Sequence, residues 1–134
     1  MNFEEWENAV PDTIKKDSLW KVTAYRKALF LRTLALSDQL YRAVGSISAN
    51  IAEGYSRGTG KDRARFYEYA LGSSRESRDW YFKSRHVLGE PVVNERLDVL
   101  SEIIRLLLTM SPDQRGHVLR EERVAYEIDS EKGN

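Results

Sequence analysis

Cysteine is absent from the 134 residues, proline occurs only three times, and no long apolar run is present. Without cysteine there is no disulfide framework, no thiol redox chemistry and no cysteine-ligated zinc. Few prolines leave long stretches free to remain helical. The longest apolar stretch, residues 106–110 with its flanks, is broken by Arg105 and falls far short of the roughly 20 residues a membrane helix needs. The first residues are acidic and polar rather than basic then apolar, so no secretory signal is expected and the cytoplasm is the expected location. What is present suits one helical domain with its own core: 41% hydrophobic and 31% charged residues in a chain of ordinary domain length.

Net charge is also missing, with 21 basic and 21 acidic residues, but the balance hides a segregation. Residues 1–14 sum to −4, residues 15–85 to +8 and residues 86–134 to −4. A basic middle can attract an anionic partner such as nucleic acid, or it can be neutralised by the acidic ends within or between subunits. Both readings stand at this level.

Strand signals are nearly absent, and helical spacing predicts an all-α fold. A short helix is predicted over residues 2–10, capped by Asn2 with Glu5 at its third position and ended by Pro11. Asp17 or Ser18 is expected to cap a second helix with Val22, Tyr25 and Leu29 on one face beside Ala24, Ala28 and Leu31. Apolar spacing resumes at Leu36, Leu40, Ala43 and Ile47, and Gly54, Gly58 and Gly60 mark a break. Thr59 with Asp62 reads as a capping box opening a third helix that runs to about Leu88, where Gly89 and Pro91 close it and open the last. Ser111-Pro112 is expected to stop that helix near Met110, leaving one weak helix over residues 118–128.

In the third helix, Phe66, Ala70, Ser73, Ser77, Trp80, Ser84 and Val87 form a 4-3 seam expected to pack lengthwise in a bundle. Beside it run Tyr67, Leu71, Ser74, Arg78, Tyr81 and Arg85, with Arg63 at the same edge. Alternating Tyr and Arg suits a subunit interface or a nucleic-acid surface. Tyr67, Leu71 and Tyr81 are the candidate oligomer contacts; Arg63, Arg78 and Arg85 are the candidate nucleic-acid contacts.

No constellation supports catalysis. Residues 54–62 depart from a phosphate loop, having five residues between Gly54 and Gly60 and Asp62 where a hydroxyl is required. Free amides at that helix start, beside Arg57, Lys61 and Arg63, could still hold one backbone phosphate. His86 and His117 are not spaced as ligands of one metal, no Glu-x-x-His pair supports a di-iron site, and no serine sits in a Gly-x-Ser-x-Gly elbow. Neither a metal, a cofactor nor a small-molecule substrate is expected. Ser46, Asn50 and Glu53 share a helical face, reading either as a polar binding site or as a buried hydrogen-bond cluster that fixes register, with Arg57 a turn beyond Glu53 as its ion partner.

The run Ser46-Ile-Ser-Ala-Asn50-Ile-Ala-Glu53-Gly54, followed by Arg57, Phe66, Ala70, Gly72-Ser73-Ser74 and Glu76, closely resembles a bacterial four-helix-bundle family. Its members include proteins encoded in intervening sequences of 23S ribosomal RNA genes, also labelled S23 ribosomal protein, and the accessory protein of diversity-generating retroelements shares the fold. The likeness covers residues 39–89 strongly and the last helix loosely. It implies an antiparallel up-down four-helix bundle that assembles as a ring-shaped homopentamer, without known catalysis. For the retroelement relatives it implies a basic surface that engages RNA and a reverse transcriptase. Ser46, Asn50, Glu53 and Gly54 match the hallmark, whose role looks structural, and Arg57 matches a basic position after it. Family members usually place a loop before the hallmark helix, whereas residues 28–37 here run through without glycine or proline. A tight turn capped by Thr33 or Ser37, or a single fused rod that exchanges helices with a neighbour, are the two alternatives.

The expected organisation is an N-terminal extension with a short helix (1–16), a four-helix bundle (17–111) and a charged, partly disordered tail (112–134). Two functions compete: a non-enzymatic oligomeric adaptor binding RNA or an RNA–protein complex, and a protein-only scaffold whose Tyr/Arg face builds the oligomer.

Overall fold

The computed structural model describes residues 2–35 and 37–115, with the side chain of Arg115 left aside. The expected weak helix over residues 118–128 lies outside them. Every regular element among the described residues is helical: α1 (Phe3–Ala9), α2 (Asp12–Lys15), a 3-10 turn (Ser18–Lys21), α3 (Thr23–Thr33), α4 (Asp38–Tyr55), α5 (Gly60–Lys83), α6 (Arg85–Leu88) and α7 (Glu90–Arg115).

The starts follow local chemistry. Asn2 and Glu5 cap α1 reciprocally, Asn2 Oδ1 accepting from Glu5 N at 2.8 Å and Glu5 Oε2 from Asn2 N at 3.0 Å. Asp17 caps the 3-10 turn rather than a long helix, accepting from Leu19 N, and α3 begins after Val22 without a side-chain cap. The two helices that could have fused are joined by a turn. Ser37 Oγ accepts from Leu40 N at 3.3 Å to open α4. Thr33 instead donates back to Phe30 O at 2.6 Å. At the other end of α4, Tyr55 donates to Ser18 Oγ at 2.6 Å, just ahead of α3. Thr59 caps α5 by accepting from Asp62 N.

Two expected boundaries shift. The third helix stops at Lys83, not near Leu88: Ser84 N is shared between the carbonyls of Trp80 and Tyr81, and the chain turns through α6 to Gly89, which sits at φ 86°. A left-handed residue there suits glycine, which has no Cβ to clash. The last helix runs through Pro112 to Arg115 rather than stopping near Met110. Lacking an N–H, Pro112 forfeits the bond to the carbonyl of Leu108, a partly exposed residue.

The main core gathers Ala24, Ala28 and Leu31 of α3, Leu40, Val44, Ile47 and Ile51 of α4, Tyr67, Ala70 and Tyr81 of α5, and Val93, Leu100, Ile103 and Leu107 of α7. Packing runs from α3 to α4, α4 to α5, α5 to α7 and α7 back to α3. A salt bridge of 2.5 Å from Lys27 to Glu102 fastens α3 to α7. A second, smaller core joins Trp6, Trp20 and Phe30, with Phe3 against them. Its ring centroids lie 5.5–6.0 Å apart, the usual range for attractive aromatic pairs. Arg26 seals its edge, pairing with Glu7 at 3.1 Å and donating to Trp20 O at 3.0 Å. Phe3, Trp6 and Val10 of the expected N-terminal extension share this core with Phe30 of α3.

Contact on two sides reshapes the α5 seam. Its buried residues are Ala64, Tyr67, Ala70, Ser74, Ser77 and Tyr81, with Ala70 and Ser77 from the first row read in the sequence and Tyr67, Ser74 and Tyr81 from the second, because α5 is wedged between α4 and α7. Phe66, Ser73 and Trp80 are only half-buried, and Val87, beyond the helix break, is 88% exposed. The buried serines satisfy themselves within the helix, Ser74 donating to Ala70 O at 2.8 Å and Ser77 to Ser73 O at 2.7 Å. They let neighbours approach closely without demanding a polar partner from them.

Candidate functional site

The hallmark segment lies on α4, and most of it acts within its own helix. Ser46 donates to Arg42 O and Asn50 Nδ2 donates to Ser46 O, each at 2.8 Å. Ser46 and Asn50 are half-buried and Glu53 is exposed. Of the two readings, the buried hydrogen-bond cluster is not formed among the described residues: Ser46 and Asn50 reach carbonyls one turn back, and Glu53 pairs with Arg57, its expected ion partner. Gly54 is different. A Cβ at this buried position would lie 2.9 Å from Phe66 Cβ, 3.0 Å from Tyr67 Cε1 and 3.1 Å from Arg63 O. The glycine sets how closely α4 and α5 cross, and Ile47 and Ile51, both wholly buried, complete that contact.

The α4–α5 loop gathers Arg57, Lys61 and Arg63, as the sequence suggested, but employs two of them. Arg57 is paired to Glu53, with its guanidinium 4.7 Å from the Phe66 ring centre. Arg63 Nε donates to Arg57 O at 3.0 Å, and its guanidinium lies 5.6 Å from the Tyr55 ring. These contacts stitch the loop to both helices. The expected phosphate cradle is compromised: Thr59 occupies the Asp62 amide, and a Cβ on Gly60 would come within 1.9 Å of the carbonyl oxygen of Gln114. A carbonyl pressed on the first residue of α5 puts a partial negative charge where the phosphate would sit. Lys61 stays exposed and free of ion pairs.

Arg78 and Arg85 lie far from that loop; Arg78 is fifteen residues beyond Arg63 in α5, about 22 Å along the helix axis. The five basic candidates thus divide between two places. Around Arg78 an open depression of about 560 Å³ lies between α5 and α7, lined by Arg75, Arg78, Asp79, Phe82, Leu97 and Ser101. Arg75 and Arg78 are exposed, and neither makes an ion pair with a described residue. Asp79 is held by Lys83 at 2.8 Å. Phe82 is 53% exposed, and Arg85 caps it: Nη1 donates to Phe82 O at 2.9 Å and the guanidinium lies 4.1 Å from the ring centre. Sequence reasoning missed Arg75 and Phe82. The signal was available, because Arg75, Arg78, Phe82 and Arg85 step by 3, 4 and 3, but the tyrosine row drew the reading elsewhere.

Tyr67 and Tyr81, two of the three candidate oligomer contacts, are 3% and 1% exposed in a single chain. They serve its own core, since the second contact of α5, with α7, takes up the face read as free. Leu71 packs half-buried against the same core. Burial pushes both phenols upward, Tyr81 to about 12, with Arg96 pulling weakly the other way, and Tyr67 by burial against the opposing pull of Arg63. The Tyr81 hydroxyl has no hydrogen-bond partner.

No group of three His, Asp or Glu side chains is gathered as metal ligands among the described residues. None of the described helices is long and apolar enough to cross a membrane. No curated protein and no solved structure matches the chain significantly. A family model described as 23S rRNA-intervening sequence protein matches residues 17–109, a span that holds α3 through α6 and most of α7 and leaves α1 and α2 outside it. With well over half its length matched, the chain belongs to the 23S rRNA-intervening sequence protein family.

Proposed function

We propose that this protein is a non-enzymatic, homo-oligomeric adaptor of the cytoplasm that binds RNA through the α5–α7 face. The observation that carries the reading is the pair Arg75 and Arg78, two exposed arginines that line an open groove and make no ion pair among the described residues. Guanidinium groups without carboxylate partners are free to meet phosphates, and the basic middle of the sequence adds attraction at longer range. The family name, which ties its members to ribosomal RNA genes, agrees with an RNA partner. A reverse transcriptase bound to such an RNA is a further partner, proposed from the likeness to the retroelement proteins.

The proposal includes an antiparallel up-down four-helix bundle of α3, α4, α5 and α7. Support comes from the ends: Tyr55 closes α4 onto Ser18 ahead of α3, and Gly60 at the start of α5 meets Gln114 near the end of α7. It also includes a pentameric ring, proposed from the family resemblance.

Light scattering of the protein alone and with a mixed RNA ladder, at low and moderate salt, tests the reading. An assembly of about five subunits is expected to shift with RNA and to lose the shift as salt rises. The double variant Arg78→Glu/Arg85→Glu should lose RNA while keeping its helical circular dichroism; unchanged affinity would sink the reading. A protein-only scaffold is favoured by one observation, the exposure of Val87 and Val92 around the α6–α7 corner. Under that reading the wild-type oligomer ignores RNA at every salt concentration.

A further inference from the structure

We infer that the groove between α5 and α7 holds an unpaired nucleotide of the RNA, its base stacked on Phe82 and its flanking phosphates met by Arg75 and Arg78. The inference rests on the RNA reading above and adds to it which form of RNA the face selects. Three observations converge. First, Phe82, 53% exposed, lies on the wall of an open depression of about 560 Å³, where its apolar ring is accessible to a planar ligand. Second, the ring is fixed: Arg85 is bonded to the Phe82 carbonyl and stacked on the ring at 4.1 Å, so a flat, cationic-backed platform exists before any ligand arrives. Preorganisation of this kind reduces the ordering cost of binding. Third, the groove walls carry both kinds of group a nucleotide needs. Arg75 and Arg78 supply positive charge and make no ion pair among the described residues, while the Ser101 hydroxyl and the Asp79 carboxylate offer polar contacts for base edges.

Asp79 would repel a phosphate, but Lys83 neutralises it at 2.8 Å. A paired helix cannot use this groove in the same way. Its bases are stacked inside, and it offers a protein phosphates and 2′-hydroxyls across a shallow groove, whereas splayed single-stranded bases stack on aromatic side chains. The contrast with the α4–α5 loop is physical. There the rings of Phe66 and Tyr55 already carry Arg57 and Arg63, whose polar groups hold Glu53 and the Arg57 carbonyl.

The test is fluorescence anisotropy of the full chain with two labelled probes, an unstructured oligoadenylate and a fully paired RNA duplex of equal length. Phe82→Ala is expected to weaken oligoadenylate binding by about tenfold, to leave duplex binding unchanged, and to be rescued by Phe82→Trp. Arg78→Glu should weaken both probes and flatten the salt dependence. Phe82 is largely in solvent, so the variants should retain wild-type helicity, checked by circular dichroism. Equal losses on both probes, or no loss with Phe82→Ala, would overturn the stacking groove and leave RNA binding standing. A wild-type protein that binds neither probe overturns the RNA reading and the groove with it.

Discussion

Replacing Gly54 by alanine tests the close crossing of α4 and α5. Two opposing terms act. Alanine in place of a helical glycine gains about 1 kcal/mol of helix propensity. Against this, the new methyl would lie 2.9, 3.0 and 3.1 Å from Phe66 Cβ, Tyr67 Cε1 and Arg63 O, when carbon atoms rest comfortably at about 3.5–4.0 Å. Phe66 Cβ and a backbone oxygen cannot swing aside as a side-chain tip can, so α4 and α5 must part by about half an ångström to restore contact distance. Overpacking of a close-packed core costs about 1–3 kcal/mol. The crowding term matches or exceeds the gain, and Gly54→Ala should destabilise by up to about 2 kcal/mol net. The control is Gly72→Ala in α5, an exposed helical glycine whose added Cβ meets nothing within 4 Å; there only the propensity gain remains, and stability should rise by about 0.5–1 kcal/mol. Urea unfolding followed by circular dichroism measures both. If Gly54→Ala stabilises as Gly72→Ala does, the close approach of α4 and α5 is not real, and the structural account of the hallmark glycine fails with it.

Tyr81 offers a prediction of opposite sign. Its hydroxyl is buried without a partner, so Tyr81→Phe should be neutral or stabilise by up to about 1 kcal/mol in the same urea assay. Because the phenol is raised to about 12 from 10, the folded state favours the neutral form. That contribution is complete below pH 10 and is lost as pH rises through about 12; helicity in alkaline titration should fall in that window, and Tyr81→Phe should push the midpoint upward. Trp6→Ala removes the 9% exposed centre of the aromatic cluster and should cost about 3 kcal/mol, measured as a lower midpoint of thermal unfolding, with far-ultraviolet circular dichroism at room temperature close to wild type.

Helix positions were largely legible because their causes are local. The Asn2–Glu5 box, the Thr59 cap and the apolar stripe Leu40, Ala43 and Ile47 depend on neighbours within a few residues. The α3–α4 turn was left open in the sequence, since Thr33 and Ser37 are both competent caps; which one acts depends on where the following helix must pack. Errors concentrated where one helix serves two partners. Periodicity reports that α5 has an apolar arc but not how wide it is, and a helix held by both α4 and α7 buries Tyr67 and Tyr81 that a one-sided helix would expose. The same blindness hid the Phe82 groove, because its opposite wall, Leu97 and Ser101, comes from a helix far along the chain. Pro112 misled in another way: a proline inside a helix removes one backbone hydrogen bond, a cost that the rest of the helix can outweigh and that the sequence does not declare.

The placement of the tryptophans separates two optical signals in one polypeptide. Trp6 and Trp20 lie in the N-terminal aromatic cluster, while Trp80 lies half-buried on α5 with Lys83 over its ring. Far-ultraviolet ellipticity, in contrast, is weighted to the long helices. With two of the three tryptophans there, emission is weighted to the clasp formed by α1 and the 3-10 turn on α3, and ellipticity to the remainder. A clasp that releases before the helices melt would register as two non-coincident transitions, a sub-global opening visible without any label. Trp6 lies outside the matched family span and Trp20 inside it, so this built-in reporter sits where the portion that the family pattern does not prescribe meets the portion that it does.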